Sequence, residues 1–167
     1  MQTQKQKDKE KLKKDRLKFR EETRKEKKKH KRHFSRSVLI KEADRVFSLY
    51  IRGRDAGKCC ITCGGSWQEN HQCGHFMSRR HYHTRWIEKN AHGQCPKCNM
   101  WGAGEQYNHG VFIDQAYGEN TANMIQKMAL STDKITDHDL IDTILHFYGK
   151  CFDKGIDYKP KKQFTEM

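Results

Sequence analysis

The sequence predicts a small α+β protein: a Cys/His-rich core held by a metal, flanked by helices, behind a basic N-terminal arm that is helical or disordered. Three observations predict it. Charge is uneven: of 34 Lys+Arg and 21 Asp+Glu in 167 residues, residues 1–36 hold 17 and 6, a net of +11, and the remainder nets only +2. Apolar residues recur at helical spacing on both sides of residues 54–111 but not within them. That irregular segment instead holds two C-x-x-C pairs, and a segment poor in apolar periodicity needs something other than hydrophobic burial to hold it.

Composition excludes several classes. Hydrophobic residues are 34% and charged residues 33% of the chain, polar for a globular protein. No stretch approaches the ~20 apolar residues of a membrane span, and the charged N-terminus lacks the apolar run of a secretory signal. Seven cysteines without such a signal point to a reducing, cytoplasmic compartment, where paired cysteines bind metal more often than they form disulfides.

The arm, residues 1–36, reads as low-complexity Lys, Arg, Glu and Gln, too poor in apolar groups to build a core. Ser37 suits the N-cap of a helix over 37–52, with Leu39, Ala43, Val46, Phe47 and Tyr50 on one face and Gly53 as its stop. The Cys/His-rich core spans 54–111, with a short strand-like piece at His75–Met77. Helical pattern resumes over about 108–129, with a break at Tyr117-Gly118. A last helix starts at Thr136/Asp137, where Thr136 and Asp139 resemble a capping box. Its apolar stripe is Leu140, Ile141, Ile144, Leu145, Tyr148 and Cys151. The organisation is therefore an arm over 1–36, a domain over 37–160 with its C-terminal helices in 112–152, and a tail over 153–167.

Cys60-x2-Cys63 and Cys95-x2-Cys98 supply four thiolates, the tetrahedral shell that a structural zinc prefers. Their separation is longer than the commonest zinc-ribbon spacing, so an insertion loops out between two knuckles. Cys59 competes with Cys60 as the first ligand, and Cys73 and Cys151 remain over. Trp86 and Trp101 read as small-core residues rather than stacking platforms.

The insertion carries Gly74-His75-Phe76, the basic run Arg79-Arg80-His81, Arg85-Trp86 and Asn90, and Asn99 follows Cys98 directly. This arrangement resembles the HNH (ββα-metal, treble-clef-like) nucleases. With Cys60-Ile61-Thr62-Cys63-Gly64, Glu88-Lys89-Asn90 and Gln94-Cys95-Pro96-Lys97-Cys98-Asn99-Met100 it is similar to the NinG (Rap) recombination endonucleases of lambdoid phages, over about residues 38–120. The resemblance implies a metal-dependent endonuclease acting on branched DNA such as D-loops and Holliday junctions. It further implies His75 as general base, Asn90 as the residue orienting it, and Asn99 as a ligand of one catalytic Mg²⁺ or Mn²⁺. An imidazole near its natural pKa suits the removal of a proton from water, and an amide oxygen is a suitable hard ligand.

Many HNH sites have Asp directly before the first histidine, and some NinG-like chains have it three residues before; here Gly74 and Gln72 stand there. The second ligand is then to be sought among His71, Gln72, Cys73, His92 and His109. Arg79, Arg80 and Arg85, with Lys25, Lys28, Lys31 and Arg32 of the arm, are the candidate DNA contacts. Two nicks at a four-way junction would be served by a homodimer, and phage or host recombination proteins are the expected partners. Two other readings follow from the same residues: a non-catalytic zinc-knuckle DNA-binding protein, and an RNA-binding zinc protein, since a basic arm attracts either nucleic acid. Deleting residues 1–34 is expected to weaken DNA binding and flatten its dependence on salt, because the log–log slope falls by roughly 0.9 for every phosphate the protein ceases to neutralise. An unchanged slope in a salt titration would leave the arm a solubilising tail.

Overall fold

The computed structural model describes Lys14, Glu21 and residues 34–102 and 105–159. The chain divides into two compact units, Met1–Ser35 and Arg36–Met167. Lys25, Lys28, Lys31 and Arg32 lie outside the described residues. The second unit is a small α+β arrangement. Helix α1 (Arg36–Arg54) is followed by strand β1 (Gln72–His75), a single turn α2 (Tyr82–Arg85) and strand β2 (Ala91–Gln94). A π-type turn (Lys97–Trp101) and helices α3 (Gln106–Tyr117), α4 (Thr121–Ala129) and α5 (Asp137–Asp153) complete it. Among the described residues no helix is long and apolar enough to cross a membrane.

Helix α1 buries Leu39, Ala43, Val46, Phe47, Tyr50 and Ile51, the 3–4 spacing of one helical face. That face packs on α5, with Phe147 edge-on to Phe47 at 4.9 Å between ring centroids. Arg36 joins the two helix starts through Asp137 Oδ1 (2.7 Å) and the Ile135 carbonyl (2.6 Å). Helix α5 begins with a full capping box between Thr136 and Asp139 and buries Leu140, Ile144, Phe147 and Cys151. Leu145, assigned to its stripe from sequence, is 44% exposed, and Phe147 takes that place in the core.

Strands β1 and β2 pair antiparallel, Gln72 opposite Gln94 and His75 opposite Ala91. Strand alternation puts Cys73, His75, Ala91 and Gly93 on one face and Gln72, Gly74, His92 and Gln94 on the other. The first face meets the α1–α5 core, which includes Ala91 and is flanked by Cys73. Beyond the strand, Phe76 packs with Ile113, Ala122 and Ile125 in a second small core.

Boundaries differ from the sequence reading at the strand, at the end of α1 and at the C-terminus; the strand is Gln72–His75 and not His75–Met77. Helix α1 runs through Gly53 to Arg54. A Cβ at residue 53 would fall 2.5 Å from Ile156 Cδ1, so this glycine serves close packing rather than helix termination. The turn comes at Gly57, with φ +79°. The C-terminal segment is part of the fold as far as Tyr158. Its hydroxyl donates to the buried carboxylate of Glu42 (2.9 Å), which also receives Tyr148 (2.9 Å) and Arg45 (2.5 Å).

Burial alone would raise the Glu42 pKa, but its bonds from Arg45, Tyr148 and Tyr158 bring it below the usual carboxylate value. A carboxylate with a depressed folded pKa adds stability above its unfolded pKa, and this is lost as pH falls through the folded value. Glu42→Gln is therefore expected to lower stability at pH 7 by about 1–3 kcal/mol in denaturant unfolding. The gap from wild type should close as the pH drops below the carboxylate range. A gap that persists under acid would show packing, not charge, at this position.

Candidate functional site

The site is built on the knuckles and the hairpin between them. The sulfur atoms of Cys60, Cys63, Cys95 and Cys98 lie within 4.8 Å of one another, the one group of three or more His, Cys, Asp or Glu able to hold a metal among the described residues. Cys63 Sγ and Cys95 Sγ are 3.9 Å apart, close to the roughly 3.8 Å edge of a tetrahedron with ~2.3 Å zinc–sulfur bonds. All seven cysteines are free. Gly64, with φ +66°, makes the knuckle turn that brings its amide to the Cys60 carbonyl at 2.9 Å.

The thiols hold each other in different states. Burial raises the Cys60 pKa, yet the Thr62 hydroxyl and the amides of Cys95, Cys63 and Thr62 draw it down to about 6. Cys98 is pushed up to about 12 by burial and by the neighbouring sulfurs. Four clustered thiolates repel one another, and a divalent cation removes that repulsion. The four residues could thus hold a zinc ion. Cys59 is exposed and outside the group.

His75 is the last residue of β1. Its ring lies 5.7 Å from Phe47, and Nε2 is 3.0 Å from the Arg85 carbonyl. Burial lowers its pKa below the ordinary histidine value, against the pull of the Arg85 and Cys73 carbonyls, so the ring is neutral at pH 7. Asn90 is wholly buried. Its Oδ1 accepts from the Met77 amide (2.7 Å), and its Nδ2 donates to the carbonyls of Met77 (3.1 Å) and Thr84 (2.8 Å). The residue after Thr84 supplies the carbonyl that meets His75. Asn90 thus clamps the 77–85 loop, whose last residue carries the carbonyl that meets His75.

Asn99, in the π-type turn, donates from Nδ2 to Gln72 Oε1 at 2.6 Å. Gln72 lies on the strand face opposite His75. The Asn90–loop–His75 connection and the Asn99–Gln72 bond are thus two separate arrangements on the two sides of one hairpin. Gly74 stands directly before the histidine in a crowded place. A Cβ there would fall 1.7 Å from Oε1 of the wholly buried Gln94. The sequence carries no signal for that steric exclusion.

Other candidates are bonded elsewhere. His92 Nδ1 and His109 Nε2 are 2.9 Å apart, and His92 Nε2 meets the Tyr117 hydroxyl at 3.0 Å. Burial, and in each case a nearby histidine, lowers His92 to about 3 and His109 to about 4. They are bonded to each other, and His92 also to Tyr117. His71 holds the Gln68 backbone through Nδ1 and lies over Trp67 at 4.5 Å. Cys73 is pushed up to about 12 by burial, which keeps it a thiol. Arg85 is bound bidentately to Asp44 (2.8 and 2.5 Å) and donates to the Arg79 carbonyl, so it braces the loop instead of reaching for phosphate. Arg79 and Arg80 are exposed. Trp86 donates to Asp44 (3.0 Å), but Trp101, read as core, is 84% exposed in the same turn as Asn99.

A two-strand hairpin whose turn region is clamped by a buried asparagine, set between paired cysteine knuckles, defines the class: a small α+β protein with a four-cysteine group suited to zinc. The family model described as Bacteriophage Lambda NinG protein matches residues 1–154, and the chain belongs to that family. It is similar to protein ninG of Escherichia phage 933W and of Escherichia phage lambda, each 29% identical over 92 residues, 54% of this chain. It is 31% identical over 84 residues, 50% of this chain, to protein ninG of Salmonella phage P22. The aligned stretch spans less than half of those relatives, 46%, 45% and 41% of their lengths. No solved structure matches.

Metal analysis is expected to find one zinc per chain. With cobalt in its place, the thiolate-to-metal charge-transfer band should fall in Cys63→Ser and stay unchanged in Cys59→Ser. A band that depends on Cys59 would reassign the first knuckle.

Proposed function

We propose that this protein is an HNH-type, metal-dependent DNA endonuclease acting on branched recombination intermediates. One observation carries the reading most: a neutral histidine at the end of a hairpin strand between two cysteine knuckles, locked through the loop that Asn90 clamps. Family membership supports it. The proposal places the scissile phosphate at the His75 end of β1.

The chemistry asked of these residues is limited. With Nε2–H donating to the Arg85 carbonyl, the lone pair of His75 is on Nδ1, the atom that would take a proton from water. The imidazolium that forms is met by carbonyl oxygens, which raise its pKa. Asn99 and Gln72 would hold a Mg²⁺ or Mn²⁺ through amide oxygens, hard ligands of the kind these ions accept. That pair projects from the other face of β1, so an ion held there would have to reach the phosphate around the end of the strand, where it would supply charge stabilisation to the phosphate and the leaving 3′ oxygen. Arg79 and Arg80 would contact the flanking backbone.

A second reading has its own observation: amides stand where a carboxylate ligand is expected, and a side chain at Gly74 would have to displace the Gln94 amide. On that reading the protein is a zinc-stabilised DNA-binding module without catalysis.

Wild type and His75→Ala, zinc-loaded, with labelled branched and linear DNA and with or without Mg²⁺ or Mn²⁺, separate the two. His75→Ala is expected to lose about 10²–10⁴-fold in nicking with zinc content and DNA affinity retained. Asn90→Ala should lose stability too, by about 1–3 kcal/mol, because the Met77 amide and carbonyl lose this partner, while the Thr84 carbonyl keeps its backbone donor from Ile87. Gln72→Asp should tighten Mn²⁺ binding, read by electron paramagnetic resonance. Binding without metal-dependent cleavage by wild type would establish the second reading.

A further inference from the structure

On the hairpin face that carries Gln72, a half-open cavity of about 450 Å³ lies between the first knuckle and α3. Its walls include Lys58, Ile61, His92, Phe112 and Tyr117. His92 is directly opposite Gly74 in the β-pair, so the cavity is one strand away from the residue preceding His75. Cys60 and Gly64 of the first knuckle close one side of it, and neither Gln72 nor Asn99 is among its walls.

Its chemistry is that of a nucleotide site. Three aromatic rings form one side: His92 is 5.4 Å from Phe112 and 5.7 Å from Tyr117 between centroids. The Tyr117 hydroxyl is held by His92 Nε2 at 3.0 Å, and His92 in turn by His109, which fixes the tyrosine ring before any ligand arrives. Cations stand at the mouth. Lys58 has a side chain 65% exposed, and its ammonium, which carries three N–H groups, donates to Asp55 at 3.1 Å. The Lys89 ammonium lies 5.4 Å from the centre of the Tyr117 ring. Asp55, the acid of this wall, is neutralised by Arg54 and by the Gly93 amide. A cavity of this size is at the small end of ligand sites, roughly 300–1,000 Å³, and suits one nucleotide rather than a stacked segment of duplex.

We propose that this cavity receives one unpaired nucleotide of a DNA branch, its base against Phe112 and Tyr117 and its phosphate at Lys58 and Lys89. The inference rests on the DNA reading above and adds to it the feature by which a branch is told from a linear duplex: a base that is already unstacked enters at little cost, whereas a paired base must first be extruded. Stacking on aromatic side chains is tolerant of sequence, as a structure-selective protein requires.

The test uses zinc-loaded full chain and 2-aminopurine placed at the unpaired position of a three-way branch or within a linear duplex. Binding is expected to quench the branch probe and leave the duplex probe nearly unchanged. Tyr117→Ala should abolish the quench and reduce affinity for the branch roughly ten-fold or more. Tyr117→Phe, which keeps the ring, should preserve both, and Lys58→Glu should weaken the branch complex alone. A parallel titration of ¹⁵N-labelled protein with thymidine 5′-monophosphate should shift the amides of Gly64, Gly93 and Tyr117. Branch binding without a quench, or a quench that survives in folded Tyr117→Ala, overturns the cavity assignment and leaves the DNA reading standing. Amide shifts with the mononucleotide but no DNA binding would keep the cavity and sink the DNA reading. Neither shifts nor binding would overturn both.

Discussion

Electrostatic repulsion among four closely set sulfur atoms is the constraint on which the centre of this molecule depends. Residues 54–102 bring few large apolar side chains to the interior: among the described residues of that span Phe76 is the one buried large hydrophobic group. Such a segment cannot offset the entropy of ordering its backbone by apolar burial alone. Zinc binding to Cys60, Cys63, Cys95 and Cys98 would convert an unfavourable cluster of partial charges into the strongest local attraction. It would do so at the open end of the hairpin, where Ile61 donates to Gly93 O (3.2 Å) and the Cys95 amide to Cys60 Sγ (3.3 Å).

With the hairpin fixed, buried polar side chains take over the work that apolar packing does elsewhere. Asn90 uses its carbonyl oxygen and both amide hydrogens on backbone groups of one loop. Asp55 receives Arg54, Lys58 and the Gly93 amide, binding the end of α1 to β2. Glu88 receives Tyr50 (2.7 Å) and Lys150, tying the turn before β2 to both long helices. Each network is directional, and a directional interior fixes the ring of His75 more narrowly than packing against Phe47 would.

Much of this is legible in the sequence because it is carried by local patterns. The face of α1 follows from a 3–4 periodicity, the start of α5 from Thr136 and Asp139, and the four-cysteine group from two C-x-x-C spacings. What the sequence hides depends on residues far apart in the chain. Gly53 resembles a helix stop because its neighbour Ile156 comes from the other end of the molecule. Arg85 resembles a phosphate ligand until Asp44, on a different helix, engages both arms of its guanidinium. Trp101 resembles core because tryptophan usually is, yet the π-type turn carries it outward. Tyr158, assigned to a tail, closes over Glu42.

Gly74 shows how such a long-range constraint can reshape a site. The buried amide of Gln94 fills the space in which a side chain at position 74 would stand. The next residue on the same strand face is Gln72, two positions back, and it is Gln72 that meets Asn99. Gln72 projects from the same face as position 74, because side chains repeat with a period of two. The same parity sets His92, opposite Gly74, on the face of the Gln72–Asn99 pair and directs it into the aromatic wall of the cavity. One crowded position between two strands thus separates the histidine face from the amide face, and places nucleotide binding and metal binding, as proposed, side by side on the latter.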